Sequence, residues 1–142
     1  EWYKPGTECI FSCGGEMCDS VFEAALANNG KSIGVDVDQS SVSDTVITSA
    51  MKGLSSGVQK ILTSFYAGKW VLVGGLSSNL GVDDNAVGLP FATSKFEKFT
   101  EGEYVKLVNS MKSGGTLEVK NDFSAFLAGG ETFENVAVSF VK

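Results

Sequence analysis

The sequence predicts an α/β fold with a parallel sheet, and three observations carry that expectation. Glu8–Cys13 (ECIFSC) and Lys31–Val37 (KSIGVDV) are apolar runs of strand length. Between them, Met17–Asn28 places Met17, Val21, Ala24 and Ala25 at helical spacing. Gly14-Gly15 and Asn29-Gly30 punctuate the two ends of that helix. The segments therefore read as a strand–helix–strand unit, which favours a parallel pair joined by a right-handed crossover.

The remaining elements follow in order. Asp38–Asp44 is a polar loop, and Thr45–Met51 (TVITSAM) is β-branched and strand-like. Leu54–Ala67 is amphipathic, with Leu54, Val58, Ile61, Leu62 and Phe65 on one helical face and Gly68 as its stop. Trp70–Gly74 reads as a strand, Ser77–Asn85 as a loop and Ala86–Phe91 as a short strand. Thr100-Glu101-Gly102-Glu103 is a capping box that opens a helix to Ser113, with Tyr104, Leu107, Val108 and Met111 as its stripe. Strands are expected at Leu117–Lys120 and Phe133–Val141. At 142 residues the chain suffices for one domain.

Two absences restrict function more than any residue present. All 11 cations are lysine, against 17 Asp+Glu, and there is neither arginine nor histidine. Without histidine there is no Ser-His-Asp or Cys-His catalytic set and no His-bearing zinc site. Without arginine, forked recognition of phosphate or guanine is lost. A net charge of −6 also repels nucleic acid and anionic lipid, so neither is an expected partner. Cys9, Cys13 and Cys18 form C-x3-C-x4-C, which lacks a fourth metal ligand. They read as small buried hydrophobes plus one thiol at a helix start. No metal or cofactor is expected. No apolar run of 18 residues occurs, and Glu1-Trp2-Tyr3-Lys4-Pro5-Gly6 leads directly into the first strand, as in a segment of a longer chain.

Ligands of open α/β sheets bind beyond the carboxyl ends of parallel strands. Two such ends carry suitable groups. Ser12-Cys13-Gly14-Gly15-Glu16 is a strand-to-helix turn whose glycines let backbone N–H groups approach a ligand. Asp36, in Gly34-Val35-Asp36-Val37-Asp38-Gln39, sits where an apolar strand ends, and a carboxylate there suits two vicinal sugar hydroxyls. Lys52 follows the third strand and would share those hydroxyls if it lay beside Asp36. The short link from Val37 to Thr45 argues for the opposite orientation, because parallel strands normally need a longer crossover. Antiparallel strands would put Lys52 on the other rim.

Four segments together are more specific: Ile10-Phe11-Ser12-Cys13-Gly14-Gly15, Gly34-Val35-Asp36-Val37-Asp38-Gln39, Ile47-Thr48-Ser49-Ala50-Met51-Lys52 and Ala86-Val87-Gly88-Leu89-Pro90. In this order they resemble the basic membrane protein family, PnrA-like lipoproteins that bind purine nucleosides for ABC-type uptake. The resemblance is good over about residues 1–91 and loose beyond. It implies a type I periplasmic-binding-protein fold, in which Rossmann-like lobes with helices on both sheet faces close around the ligand. It implies that this chain is a C-terminal portion, with residues 1–53 the core of one lobe, 54–91 hinge and crossover segments, and 92–142 a terminal helix and strands. The ligand-binding residues implied are Cys13, Gly14, Asp36 and Lys52, in contact mainly with the ribose, and the Lys52 strand should run parallel to the Asp36 strand. The implied partners are a nucleoside and an ABC permease, at an extracytoplasmic location held by a lipid anchor outside this chain. Glu16 departs from the small neutral residue usual in the family. The helix Leu54–Ala67 should lie near the hinge, so its apolar face calls for another partner, by dimerisation or segment exchange in this chain alone.

Two other readings compete. One keeps the fold but makes the protein an extracytoplasmic sensor or interaction module. The other is remote. Ser49-Ala50-Met51-Lys52, Ser77-Ser78-Asn79 and Lys112-Ser113-Gly114 match S-x-x-K, S-x-N and K-T-G in the order used by penicillin-recognising serine enzymes. There the serine opens a buried helix, whereas Ser49 lies in a strand-like run.

Overall fold

A computed structural model describes residues 1–114. Its sheet has the order β1-β2-β3-β4, formed by Cys9–Phe11, Lys31–Asp36, Val46–Lys52 and Val87–Gly88. β1, β2 and β3 are mutually parallel, and β4 runs antiparallel to β3 with Lys52 opposite Val87. The helices are α1 (Met17–Ala27), α2 (Leu54–Tyr66) and α3 (Glu101–Lys112). The strands expected at Leu117–Lys120 and Phe133–Val141 lie outside the described residues.

The core sits where α1 crosses the sheet. Cys18, Phe22, Val35 and Val46 form one buried cluster, joined on the helix by Ala25. Residues 18, 22 and 25 are spaced to lie on one helical face. That stripe is one residue away from the expected Met17, Val21, Ala24 and Ala25, of which only Ala25 is buried. The reason is local: the Met17 side chain lies over Gly14, on the turn that starts the helix, and leaves the core to the Phe22 ring. Of the cysteines, Cys18 alone is buried, its thiol donating to the Ser12 carbonyl at 3.6 Å. Cys9 and Cys13 are exposed because β1 is an edge strand and Cys13 lies beyond its end.

The parallel pairing of β2 and β3 overturns the spacing argument and agrees with the orientation implied by the resemblance. Extended chain covers about 3.3–3.6 Å per residue, so residues 37–45 can retrace the length of β2 without a helix. The path is fixed by turns, with Val42 N–H donating to the Gln39 carbonyl (2.9 Å) and Val46 N–H to that of Ser43 (3.1 Å).

Trp70–Gly74 is not a strand. Trp70–Leu72 is a short 3-10 turn, and Val73 and Gly74 both donate to the Trp70 carbonyl. The run joins neither edge of the four-stranded sheet, and its backbone groups pair locally. The indole folds over Gly74 and meets Phe65 edge-on at 5.7 Å. Ala86–Phe91 contracts to the two residues of β4. α3 starts at the capping box as expected: Thr100 Oγ1 accepts from Glu103 N–H (3.3 Å), and Glu103 Oε2 accepts from Thr100 N–H (2.8 Å).

Candidate functional site

Because β1, β2 and β3 are parallel and adjacent, their carboxyl ends share one rim. The chain leaves β1 there through Ser12-Cys13-Gly14, Asp36 ends β2, and Lys52 ends β3. Asp36 stands opposite Met51 in the ladder, one residue from Lys52. Their side chains meet: Lys52 Nζ is 2.7 Å from Asp36 Oδ1. At that separation the contact is an ion pair, although its angles fall short of an aligned hydrogen bond. Lys52 is held above the ordinary lysine range, first by its polar contact with Asp36 and then by that carboxylate's charge, with Cys13 adding a smaller effect in the same direction.

The backbone at Asp36 is unusual. Its φ is +68°, and Val37 N–H donates to the Val35 carbonyl at 2.8 Å across it. An i→i+2 hydrogen bond around a positive φ is the rarer, strained form of γ-turn. A non-glycine residue held this way costs on the order of 1–3 kcal/mol, and such strain clusters at binding sites.

Two shielded side-chain oxygens, Ser12 Oγ and Asp36 Oδ1, lack an aligned hydrogen-bond partner among the described residues. Both belong to this rim. Asp36 Oδ1 is shielded by the Lys52 ammonium it is paired with, so Ser12 Oγ is the atom at this rim that a further polar group would complete. The turn also offers open backbone donors: the N–H groups of exposed Gly14, Gly15 and Glu16 donate to no group among the described residues, and Glu16 caps α1 without a side-chain hydrogen bond. Ser12 lies within the turn singled out from sequence but is not one of the site residues the resemblance implies. No sequence signal separates a buried hydroxyl from an exposed one in that turn.

Other features fit a site less well. A groove of about 380 Å³, lined in part by Leu26, Lys31, Asp44 and Lys95, lies at the opposite, amino ends of β2 and β3. Its lysines face Glu97 and Asp44 at 3.9 Å. Ser49 is fully buried in mid-β3, where its Oγ accepts from Gln39 N–H at 3.0 Å. It neither opens a helix nor meets solvent, which removes it as an acylated nucleophile. The Cys9 thiol, on an exposed edge residue, is nonetheless pushed up by partial desolvation against a smaller opposing effect of Lys31, which does not favour the thiolate. Among the described residues no cluster of metal-ligating side chains occurs, and no helix is long and apolar enough to cross a membrane.

A mainly parallel sheet with charged groups at its strand ends is an α/β lobe of the kind in which ligands bind at that edge. The four-stranded sheet and its helices are consistent with part of a periplasmic-binding-protein-like fold. Residues 1–120 match the Bmp family, described as ABC transporter substrate-binding protein PnrA-like, and the chain belongs to that family. No curated protein matches the sequence. Among solved structures, the crystal structure described as a transcriptional activator of the comK gene from Bacillus halodurans is similar in fold, with a TM-score of 0.55 at 21% identity. The match covers 79% of this chain and 38% of that one, so this chain spans well under half the length of that structure.

Proposed function

We propose that this chain forms one lip of a solute-binding cleft, that the solute is a purine nucleoside, and that the whole protein delivers it to an ABC permease without chemical change. Asp36 accepts hydrogen bonds from the vicinal ribose hydroxyls. Lys52 donates to the same oxygens and balances the carboxylate, while the backbone at Cys13 and Gly14 closes over the sugar. Ser12 Oγ adds one further polar group. The observation that carries this reading is the Asp36–Lys52 pair at the carboxyl ends of parallel strands, on the rim that the Ser12-Cys13-Gly14 turn also borders. The absence of arginine suits a ligand without phosphate.

In this reading the protein works outside the cytoplasmic membrane on a lipid anchor beyond these residues. The apolar face of α2 is then covered by another part of the longer protein, or in this chain alone by a second copy. The isolated 142 residues should bind inosine or guanosine feebly, because half of the enclosure is missing. Calorimetry on the full-length protein tests the site. A hydrogen bond to a charged group contributes about 1.5–3 kcal/mol, so Asp36→Ala should weaken nucleoside binding roughly 10- to 150-fold. An unchanged dissociation constant removes Asp36 from the cleft. Tight nucleoside binding without any permease interaction would favour a sensor of the same fold.

A further inference from the structure

We propose that Gln39 is a positioning residue of this rim, a side-chain strap across β2 that holds the Asp36 carboxylate in front of Lys52. The proposal rests on the nucleoside reading for its ligand but on the geometry alone for the strap. β1 ends at Phe11, opposite Ile33, so the edge of β2 that faces β1 has no strand partner from Val35 onward. The Val35 N–H donates instead to Gln39 Oε1 at 2.8 Å. The Gln39 backbone N–H donates in the other direction, to Ser49 Oγ on β3 at 3.0 Å. The residue therefore reaches from β3 over β2 to the side of β2 that faces β1.

Gly34 makes the crossing possible. A Cβ there would stand 2.8 Å from Gln39 Oε1, 3.0 Å from Gln39 Cβ and 2.6 Å from Ser49 Oγ. The glycine is required by what lies on top of it. Its ladder partner is Ser49 itself, so the strap and its anchor sit over one register position.

The consequence falls on Asp36. A γ-turn with φ +68° persists only if its surroundings hold it, since the strain favours relaxation to an ordinary strand end. Gln39 fixes the residue before the turn, Val35, and refers it to the strand that carries Lys52 three residues beyond Ser49. Asp38, on the other side, is held separately by Thr93 Oγ1 at 2.7 Å and by the Ser40 N–H at 3.0 Å. Gln39 thus adds a side-chain tie across β2 to the ladder that already pairs Asp36 with Met51, and so bears on how the strained Asp36 presents its carboxylate to Lys52. A side chain one methylene shorter does not span the strand.

The test is a double-mutant cycle in the full-length protein, with guanosine as the probe. Gln39→Ala should raise the dissociation constant about five- to tenfold alone and less than about twofold when added to Asp36→Ala, because it acts through that carboxylate. Gln39→Asn should behave like Gln39→Ala, and serves if the alanine variant does not fold. A second readout needs no ligand: the Lys52 ammonium, followed by NMR titration, should return toward the ordinary lysine range in Gln39→Ala as Asp36 moves away. Equal losses in both backgrounds would mean that Gln39 touches the ligand or acts on the fold at large, and would overturn the proposal. So would a Lys52 titration indifferent to Gln39. If Asp36→Ala binds guanosine like the wild type, the nucleoside reading fails, and the Lys52 titration still decides the strap.

Discussion

Residues 1–53 and residues 54–114 are equally regular in secondary structure and very unequal in packing. The first region buries Cys18, Phe22, Ala25, Val35 and Val46 around its sheet, together with the hydroxyls of Ser12, Ser32, Thr48 and Ser49. Beyond Gly53, Ala86 is the one buried residue among those described. The thirteen residues of α2 and the twelve of α3 include none. α2 is nevertheless the more amphipathic helix in sequence, and its Leu54, Val58, Leu62 and Phe65 are each about half exposed or more. A hydrophobic stripe specifies that a helix will be covered without specifying by what. In the first region the cover is within the chain, and the strain at Asp36 can be supported there.

The contrast is sharpest in core substitutions. Phe22→Ala should cost about 3–5 kcal/mol, most of the stability of a small domain, whereas Val58→Ala on α2 should stay within about 0.5 kcal/mol. Chemical denaturation of the two variants checks the difference, and comparable losses would show that α2 is packed in solution. Hydrogen exchange gives the same contrast without substitution. Most helical stability comes from packing, so α2 amides should exchange orders of magnitude faster than those of α1. A smaller effect isolates the backbone at the rim. Asp36→Gly and Asp36→Ala both lose the carboxylate, but only glycine adopts φ +68° freely. The glycine variant should be the more stable by about 1 kcal/mol, and equal stabilities would remove the strain.

Much of this was legible in the sequence, for reasons that differ by element. The strand–helix–strand unit showed because period and punctuation agree there, and α3 showed because Thr100 and Glu103 satisfy each other's backbone. Trp70–Gly74 misled because a short apolar run carries no period of its own, and only the sheet decides whether a strand has a partner. The buried stripe of α1 slipped by one residue because Met17 turned toward Gly14, a contact no pattern encodes. At the rim, Asp36 and Lys52 were readable as strand-end charges. That they meet depends on the β2–β3 orientation, which the short 37–45 link appeared to forbid. The Gln39 strap and the buried Ser12 hydroxyl depend on where one side chain crosses another strand, and no spacing reports that.

The faintest effect tests the seam between the two regions. Thr93, well beyond α2, donates its hydroxyl to Asp38 in the loop after Asp36. That hydrogen bond, with two from Ser40 adding to it, holds the Asp38 carboxyl below the usual carboxylate range. A carboxyl depressed in the folded state contributes stability above its unfolded pKa and loses it as pH falls through the folded value. This one contact between the regions is therefore strongest at neutral pH and weakens under acid conditions, while the β3–β4 pairing and the Thr48–Ser94 hydrogen bond involve no carboxylate. Asp38 is at most half-buried, so its share in stability is small, but its titration can be followed directly by carbon-detected NMR. Thr93→Val should shift that midpoint upward, toward an ordinary aspartate, and leave the Lys52 titration unchanged, because Gln39 rather than Asp38 governs the Asp36–Lys52 pair. If Thr93→Val moves both, residues 37–45 respond as one body, and the rim is held from the second region as much as from the first.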